Sequence, residues 1–302
     1  MATKAVASGK TMAQSADYIL PPSEKPAPPP GIELLDLHPT IGTEVLGIDL
    51  REALTPAMFA FLDALLVERK VIFFRDQDIA ARNHVEFARH WGELLVTPFS
   101  NNSHPEYGEI ATINSDGTNA RTNSWHSDGA WRAEPDLGSV VRAIAVPDVG
   151  GDTLFRDTHA AYVNMPDWLR RAVEGEEAVF SARCVHDLDA PIEELVQVEL
   201  DHPPARHPII RTHPVSGRKG IYVDPSYATH IVGMDYADSR YLLERLFAQS
   251  NRPEFQCRFK WRNNSIAFWD NRGCQHYASA DYVGQNFIRK MERVTIRGDR
   301  PY

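Results

Sequence analysis

Apolar residues along the chain repeat mostly every second position and, in fewer places, every third or fourth. Over residues 255–261 the odd positions Phe255, Cys257, Phe259 and Trp261 are apolar and the even ones polar, as a strand with one buried face requires. Further strands are predicted over residues 140–146, 152–155, 208–213, 220–223, 265–269 and 287–296, and the unbroken run Val71-Ile72-Phe73-Phe74 reads as a buried strand. Helical spacing is more restricted. Thr55 and Pro56 form a cap and first-turn pair, after which Phe59, Leu62, Leu65 and Leu66 recur on one face up to Arg69. Helices are also predicted over residues 80–91, stopping at Gly92, and over residues 238–250, with Tyr241, Leu242, Leu246 and Phe247 on one face. Closely spaced strands in the second half, with helices mainly near the start, predict a mainly β fold with flanking helices: an antiparallel barrel or sandwich. A doubly wound sheet fits less well, and no Gly-x-Gly-x-x-Gly turn is present.

Composition narrows the function classes. The 302 residues are 43% hydrophobic with a net charge of -9, and the bases are scattered among acids, which argues against a nucleic-acid partner. Apolar stretches near residues 57–74 are broken by Asp63, Glu68, Arg69 and Lys70, so no membrane span is expected. Residues 1–30 read as a mobile N-terminal tail, because no secretory apolar run is present and residues 21–31 hold six prolines; a single domain from residue 31 to 302 follows. Cys184, Cys257 and Cys274 form neither zinc spacing nor an even framework, which points to free thiols in a reducing compartment, the cytoplasm by default.

Among twelve histidines most are expected to be packed or solvated. His126 differs, because in Trp125-His126-Ser127-Asp128 the imidazole and the Asp128 carboxylate project to one side of an extended segment. Such a pair needs a third donor to make a 2-His-1-carboxylate face, and His276, after the strand and turn of residues 269–275, can supply it. On the last strand Arg289, Met291 and Arg293 share one face, and two guanidinium groups together suit capture of an anion. The alternative for that strand is a solvated basic edge.

On these residues the chain resembles the taurine dioxygenase family of Fe(II)/2-oxoglutarate-dependent oxygenases. The matching segments are residues 41–49 and 70–75, Asn123-Ser124-Trp125-His126-Ser127-Asp128, Gly150-Gly151-Asp152-Thr153-Leu154, His213-Pro214-Val215-Ser216-Gly217, and residues 269–277 and 289–299. The resemblance implies a distorted double-stranded β-helix, or jelly roll, with His126, Asp128 and His276 as iron ligands. It further implies that Arg289 and the Thr153 hydroxyl hold the distal carboxylate of 2-oxoglutarate, while Arg293 approaches the cofactor and the anionic head of the primary substrate. Family members commonly form dimers or tetramers, which leaves a homo-oligomer open.

The expected activity couples oxidative decarboxylation of 2-oxoglutarate by O2, giving succinate and CO2, to oxidation of a C–H bond in a small anionic substrate: a sulfonate, sulfate ester or carboxylate. Tailoring of a secondary metabolite by hydroxylation or desaturation is the alternative within the family. A zinc hydrolase could use the same donors but would leave Arg289 and Thr153 without a partner. Thr97 and Thr122 stand where taurine-specific members carry His and Asn, so taurine itself is disfavoured; Phe99 is a further candidate for the substrate wall. The segment Gly284-Gln285-Asn286-Phe287 is longer than in close taurine-type members, which implies a reshaped loop over the site.

Overall fold

Period two governs the architecture as well as the sequence. The structure is a computed structural model that describes residues 18–96, 103–115, 123–185, 190–282, 284, 287 and 289–302. In chain order the elements are β1 (Glu33–Asp36), β2 (Thr43–Leu46), α1 (Pro56–Arg69), β3 (Val71–Phe74), α2 (Ala81–Arg89), β4 (Leu94–Leu95), β5 (Ile110–Ser115), β6 (Gly138–Ala145), β7 (Thr153–Asp157), α3 (Thr158–Val163), α4 (Asp167–Val173) and β8 (Glu177–Phe180). They continue with α5 (Ile192–Asp201), β9 (Ala205–Pro208), β10 (Ile210–Thr212), β11 (Lys219–Ile221), β12 (Ala228–Ile231), α6 (Tyr236–Ser250), β13 (Gln256–Phe259), β14 (Ile266–Asp270), β15 (Cys274–Ala278) and β16 (Arg289–Ile296).

An eight-stranded sheet runs β1-β2-β3-β14-β6-β16-β4, with β5 also paired to β16. All its pairs are antiparallel except β2 with β3. Ile72, Phe74, Ile266, Phe268, Val294 and Ile296 point to its outer face and form one core with Leu62, Leu65 and Leu66 of α1 and Val85 and Phe87 of α2. Val71, Phe73, Ala267, Trp269 and Met291 point inward and pack on Phe155, Cys257, Phe259 and Cys274 of a second sheet, β13-β7-β15. Phe73 stacks on Phe259 with ring centroids 4.0 Å apart and meets Phe155 edge-on at 5.6 Å. A third core joins α3, α4 and α6 to the small sheets β12-β8-β9 and β10-β11.

Local chemistry explains where elements start and stop. Thr55 Oγ1 accepts the Met58 N–H at 3.2 Å, and α1 ends at Lys70, whose positive φ of 61° turns the chain directly into β3. The α6 helix starts two residues before the expected Asp238, because Asp235 caps it by accepting the N–H groups of Ala237 and Asp238. The β16 strand is not a solvated edge: it lies between β6 and the pair β4 and β5, and Arg289 is buried.

Part of the segment expected to be a tail is docked. Tyr18 and Leu20 pack against the third core, Asn164 exchanges two hydrogen bonds with the Ile19 backbone, and buried Arg69 donates to Ser23 Oγ at 2.9 Å. Ordered chain therefore begins before Gly31, because Arg69 and the core supply it with partners. Cys257 and Cys274 are free and buried. Among the described residues no helix is long and apolar enough to cross a membrane.

Candidate active site

The site forms where the end of the second sheet meets the inner face of the large one. His126 and His276 are paired by reciprocal backbone hydrogen bonds of 3.0 and 2.9 Å, so two residues far apart in sequence stand side by side. Their rings lie 4.1 Å apart. Asp128, two positions on, turns to the same side, while Ser127 between them points to the carbonyls of Asn271 and Cys274. Asp128 Oδ1 is 3.8 Å from Nε2 of each histidine, and one ligand atom from each of the three side chains lies within 4.8 Å of the others. One ion with bonds of about 2.0–2.2 Å can bridge donors at this spacing.

The electrostatics suit a cation. Burial holds His126 below its ordinary pKa, and burial plus the neighbouring His126 push His276 down to about 3, so both imidazoles are neutral near pH 7. Burial opposes a charge on Asp128, but the groups around it outweigh that and hold the carboxyl below the usual range. With the imidazoles neutral, Arg293 (3.3 Å from Oδ1) and the Ser139 hydroxyl (2.8 Å from Oδ2) sustain that ionised form. The Ser124 carbonyl lies 2.8 Å from His126 Nδ1 and sets its tautomer, leaving Nε2 unprotonated. Two neutral nitrogens and one carboxylate make a donor set for a divalent metal.

Arg289 lies on the same face of β16 as Arg293 and is 8% exposed. Burial depresses its guanidinium below the ordinary value, its Nε has no hydrogen-bond partner, and none of the described carboxylates forms an ion pair with it. A buried cation left this way is costly without an anion. Gly151 packs against it, since a Cβ there would lie in contact, 3.4 Å from Arg289 Cδ and Nε. That glycine has a φ of +70°, and its N–H donates to Asp281 at 2.7 Å. Thr153, at the start of β7, is buried and accepts a hydrogen bond from Trp261.

Thus His126, Asp128, His276 and Arg293 are brought together, with Arg289 further along the same β16 face and Thr153 two residues beyond the glycine that packs against Arg289. Thr97, Phe99 and Thr122 lie outside the described residues. Sequence reasoning missed four groups that hold the site. Ser139 binds Asp128; Asn271 Oδ1 accepts the Asp128 N–H at 3.2 Å; Asp224 accepts N–H groups of Ser127, Ser226 and Tyr227; and Trp261 binds Thr153. Asn271 was within reach, since it belongs to the segment before His276. Nothing local marks Ser139, which reads as an ordinary strand position until β6 is placed beside β14 and β16.

Comparison with known proteins gives this geometry a context. The family described as taurine catabolism dioxygenase TauD, TfdA family matches residues 33–295. An alpha-ketoglutarate-dependent sulfate ester dioxygenase of Pseudomonas putida is 34% identical over 280 residues, covering 88% of this chain and 91% of that one. An alpha-ketoglutarate-dependent 2,4-dichlorophenoxyacetate dioxygenase of Cupriavidus pinatubonensis is 32% identical over 280 residues, covering 87% and 96%. The crystal structure of a taurine dioxygenase from Burkholderia xenovorans superposes with a TM-score of 0.78 at 33% identity, covering 90% of this chain and 91% of that one. With a family match across most of its length and relatives above 30% identity, the chain belongs to the TauD/TfdA family of 2-oxoglutarate-dependent dioxygenases.

Proposed function

We propose that the protein is a non-haem Fe(II)/2-oxoglutarate-dependent dioxygenase, built on a jelly roll, that oxidises a C–H bond of a small anionic substrate. The observation that carries this reading is the convergence of two neutral histidines and an ionised carboxylate, with a buried guanidinium, Arg289, on the strand face that also carries Arg293 and forming no ion pair with any of the described carboxylates. His126, Asp128 and His276 would hold Fe(II). When bound, iron supplies the redox chemistry that couples decarboxylation of 2-oxoglutarate by O2 to substrate oxidation, with succinate and CO2 as co-products.

The chain's own contribution is binding and orientation. Arg289 neutralises the distal carboxylate of 2-oxoglutarate through charge-assisted hydrogen bonds, and the Thr153 hydroxyl adds a donor without adding charge. Arg293, which donates to Asp128 from the same strand face, also meets the substrate's anionic group. The relatives named for sulfate esters and for 2,4-dichlorophenoxyacetate act on anions, which supports a sulfate ester, sulfonate or carboxylate here.

The test is succinate formation with Fe(II), 2-oxoglutarate and O2 across alkyl sulfates, alkyl sulfonates, taurine and organic acids. Anionic substrates should stimulate succinate release, and a preferred substrate with no anionic group would overturn the role given to Arg293. Arg289→Gln should weaken 2-oxoglutarate binding by about 2–5 kcal/mol, tens- to thousands-fold. An unchanged dissociation constant would mean that the cosubstrate binds elsewhere.

A further inference from the structure

The Thr153 hydroxyl does not stand alone beside the site. Trp261 Nε1 donates to Thr153 Oγ1 at 2.9 Å, and both residues are 4% exposed. An indole N–H is a donor only, so Oγ1 is the acceptor in this contact and its own O–H proton points elsewhere. None of the described residues accepts that proton. A buried hydroxyl proton with no acceptor is unfavourable, and the arrangement is relieved when an acceptor enters the site.

The indole is itself held. Its ring meets Phe259 edge-on, with centroids 4.9 Å apart and planes at 84°. Phe259 stacks on Phe73 and carries the Arg75 guanidinium 4.0 Å from its ring centroid. Phe259 is also the register partner of Thr153 across the β13–β7 pair, so strand pairing and the aromatic stack set the donor's position together. The indole lies on the apolar side of the second sheet, among the residues of the inner core. Nothing in this contact requires the N–H for packing; a plain ring would fill much of the same space.

We infer that Trp261 is a positioning residue of the 2-oxoglutarate site: it occupies the acceptor side of Thr153 Oγ1 and commits the hydroxyl proton to the distal carboxylate. The inference rests on the proposed placing of that carboxylate at Arg289 and Thr153. Trp261 touches neither the cosubstrate nor the metal donors in this role. Its effect passes through one hydrogen atom, which makes the effect conditional on Thr153 and on a ligand that carries a distal carboxylate.

The experiment is an anaerobic titration of the Fe(II)-loaded enzyme with 2-oxoglutarate, reading the dissociation constant for Trp261→Phe, Thr153→Val and the double variant, with thermal melts alongside. Trp261→Phe should raise the dissociation constant about three- to tenfold, the value of one neutral hydrogen bond. In the Thr153→Val background the same change should matter less than about twofold. Binding of a 2-oxo acid lacking the distal carboxylate should be unaffected by Trp261→Phe. Replacing Trp261 by β-(3-benzothienyl)alanine, which keeps the bicyclic shape without the N–H, should reproduce the Trp261→Phe effect and serves where the smaller ring impairs folding. Equal losses in both backgrounds, equal losses for both acids, or no loss at all would overturn the inference. Arg289→Gln separates the two levels. If it weakens 2-oxoglutarate binding while Trp261→Phe does not, only the role of Trp261 fails; if neither matters, the placing of the cosubstrate fails with it.

Discussion

The two faces of the eight-stranded sheet are made by the same strands and serve different ends. On the outer face Ile72, Phe74, Val140, Phe268, Val294 and Ile296 meet α1 and α2 in an apolar layer. On the inner face the alternate residues Val71, Phe73, Ala267 and Met291 are apolar over the second sheet, but Ser139, Arg289 and Arg293 interrupt them. Helices α1 and α2 cover the apolar part of the outer face, and its charged groups, such as Arg142 and Glu292, pair with each other beyond that layer; on the inner face Ser139 and Arg293 reach Asp128 of the candidate site. The difference teaches that one strand of period two can carry scaffold and chemistry at once, and β16 does so with Val294 and Ile296 outward and Arg289 and Arg293 inward.

Substitutions should separate the faces. The largest effect is expected from Asp128→Ala, at the site that the inner face meets through Ser139 and Arg293, which removes the only anionic member of the three-residue cluster. Anaerobic Fe(II) titration should show binding lost by a factor of about a thousand or more, a few kcal/mol, with little change in melting temperature; retained affinity would break the assignment. Phe268→Ala on the outer face should do the reverse. It should cost about 3–5 kcal/mol of stability in denaturant unfolding and leave the 2-oxoglutarate dissociation constant of the folded enzyme unchanged.

A pH effect follows for His84, which sits in the outer layer with Nε2 3.0 Å from the Val140 carbonyl. Burial pushes its pKa down to about 4, below the ordinary 6.5, so it stays neutral in the folded state. Its contribution is fully present above pH 6.5. As pH falls from 6.5 towards 4 the unfolded chain takes up the proton first, and up to about 3 kcal/mol is lost. His84→Gln, which keeps an N–H for that carbonyl, should lose less stability than the parent between pH 7 and 4.5. Parallel curves would show that folding does not lower the His84 pKa. The smallest effect is expected from Ser139→Ala, which frees Asp128 Oδ2 and should weaken Fe(II) binding about 10- to 100-fold. Unchanged affinity would mean that Arg293 alone orients the carboxylate.

Much of the framework was legible. The β3 and β14 strands and the α1 helix follow from local period and capping, and the inward set Arg289, Met291 and Arg293 follows from alternation alone. Other elements were not legible. The α3, α4 and α5 helices are 6, 7 and 10 residues long, and α5 has no buried residue, so the periodic signal is too short or too weak to stand out. Residues 18–30 resembled a tail because their proline content is high, yet Arg69 and Asn164 tie them down through hydrogen bonds that no local pattern encodes.

Two things are therefore separable. The sequence by itself determined which residues share a face, where α1 begins and which residue types could hold a metal or an anion, because these depend on neighbours within a few positions. Tertiary structure decided that His126 meets His276, that Ser139 and Arg293 reach the two oxygens of Asp128, and that Trp261 caps Thr153. Those contacts join strands distant along the chain, and their geometry comes from sheet register and from the packing of one sheet on another, which only the whole fold specifies.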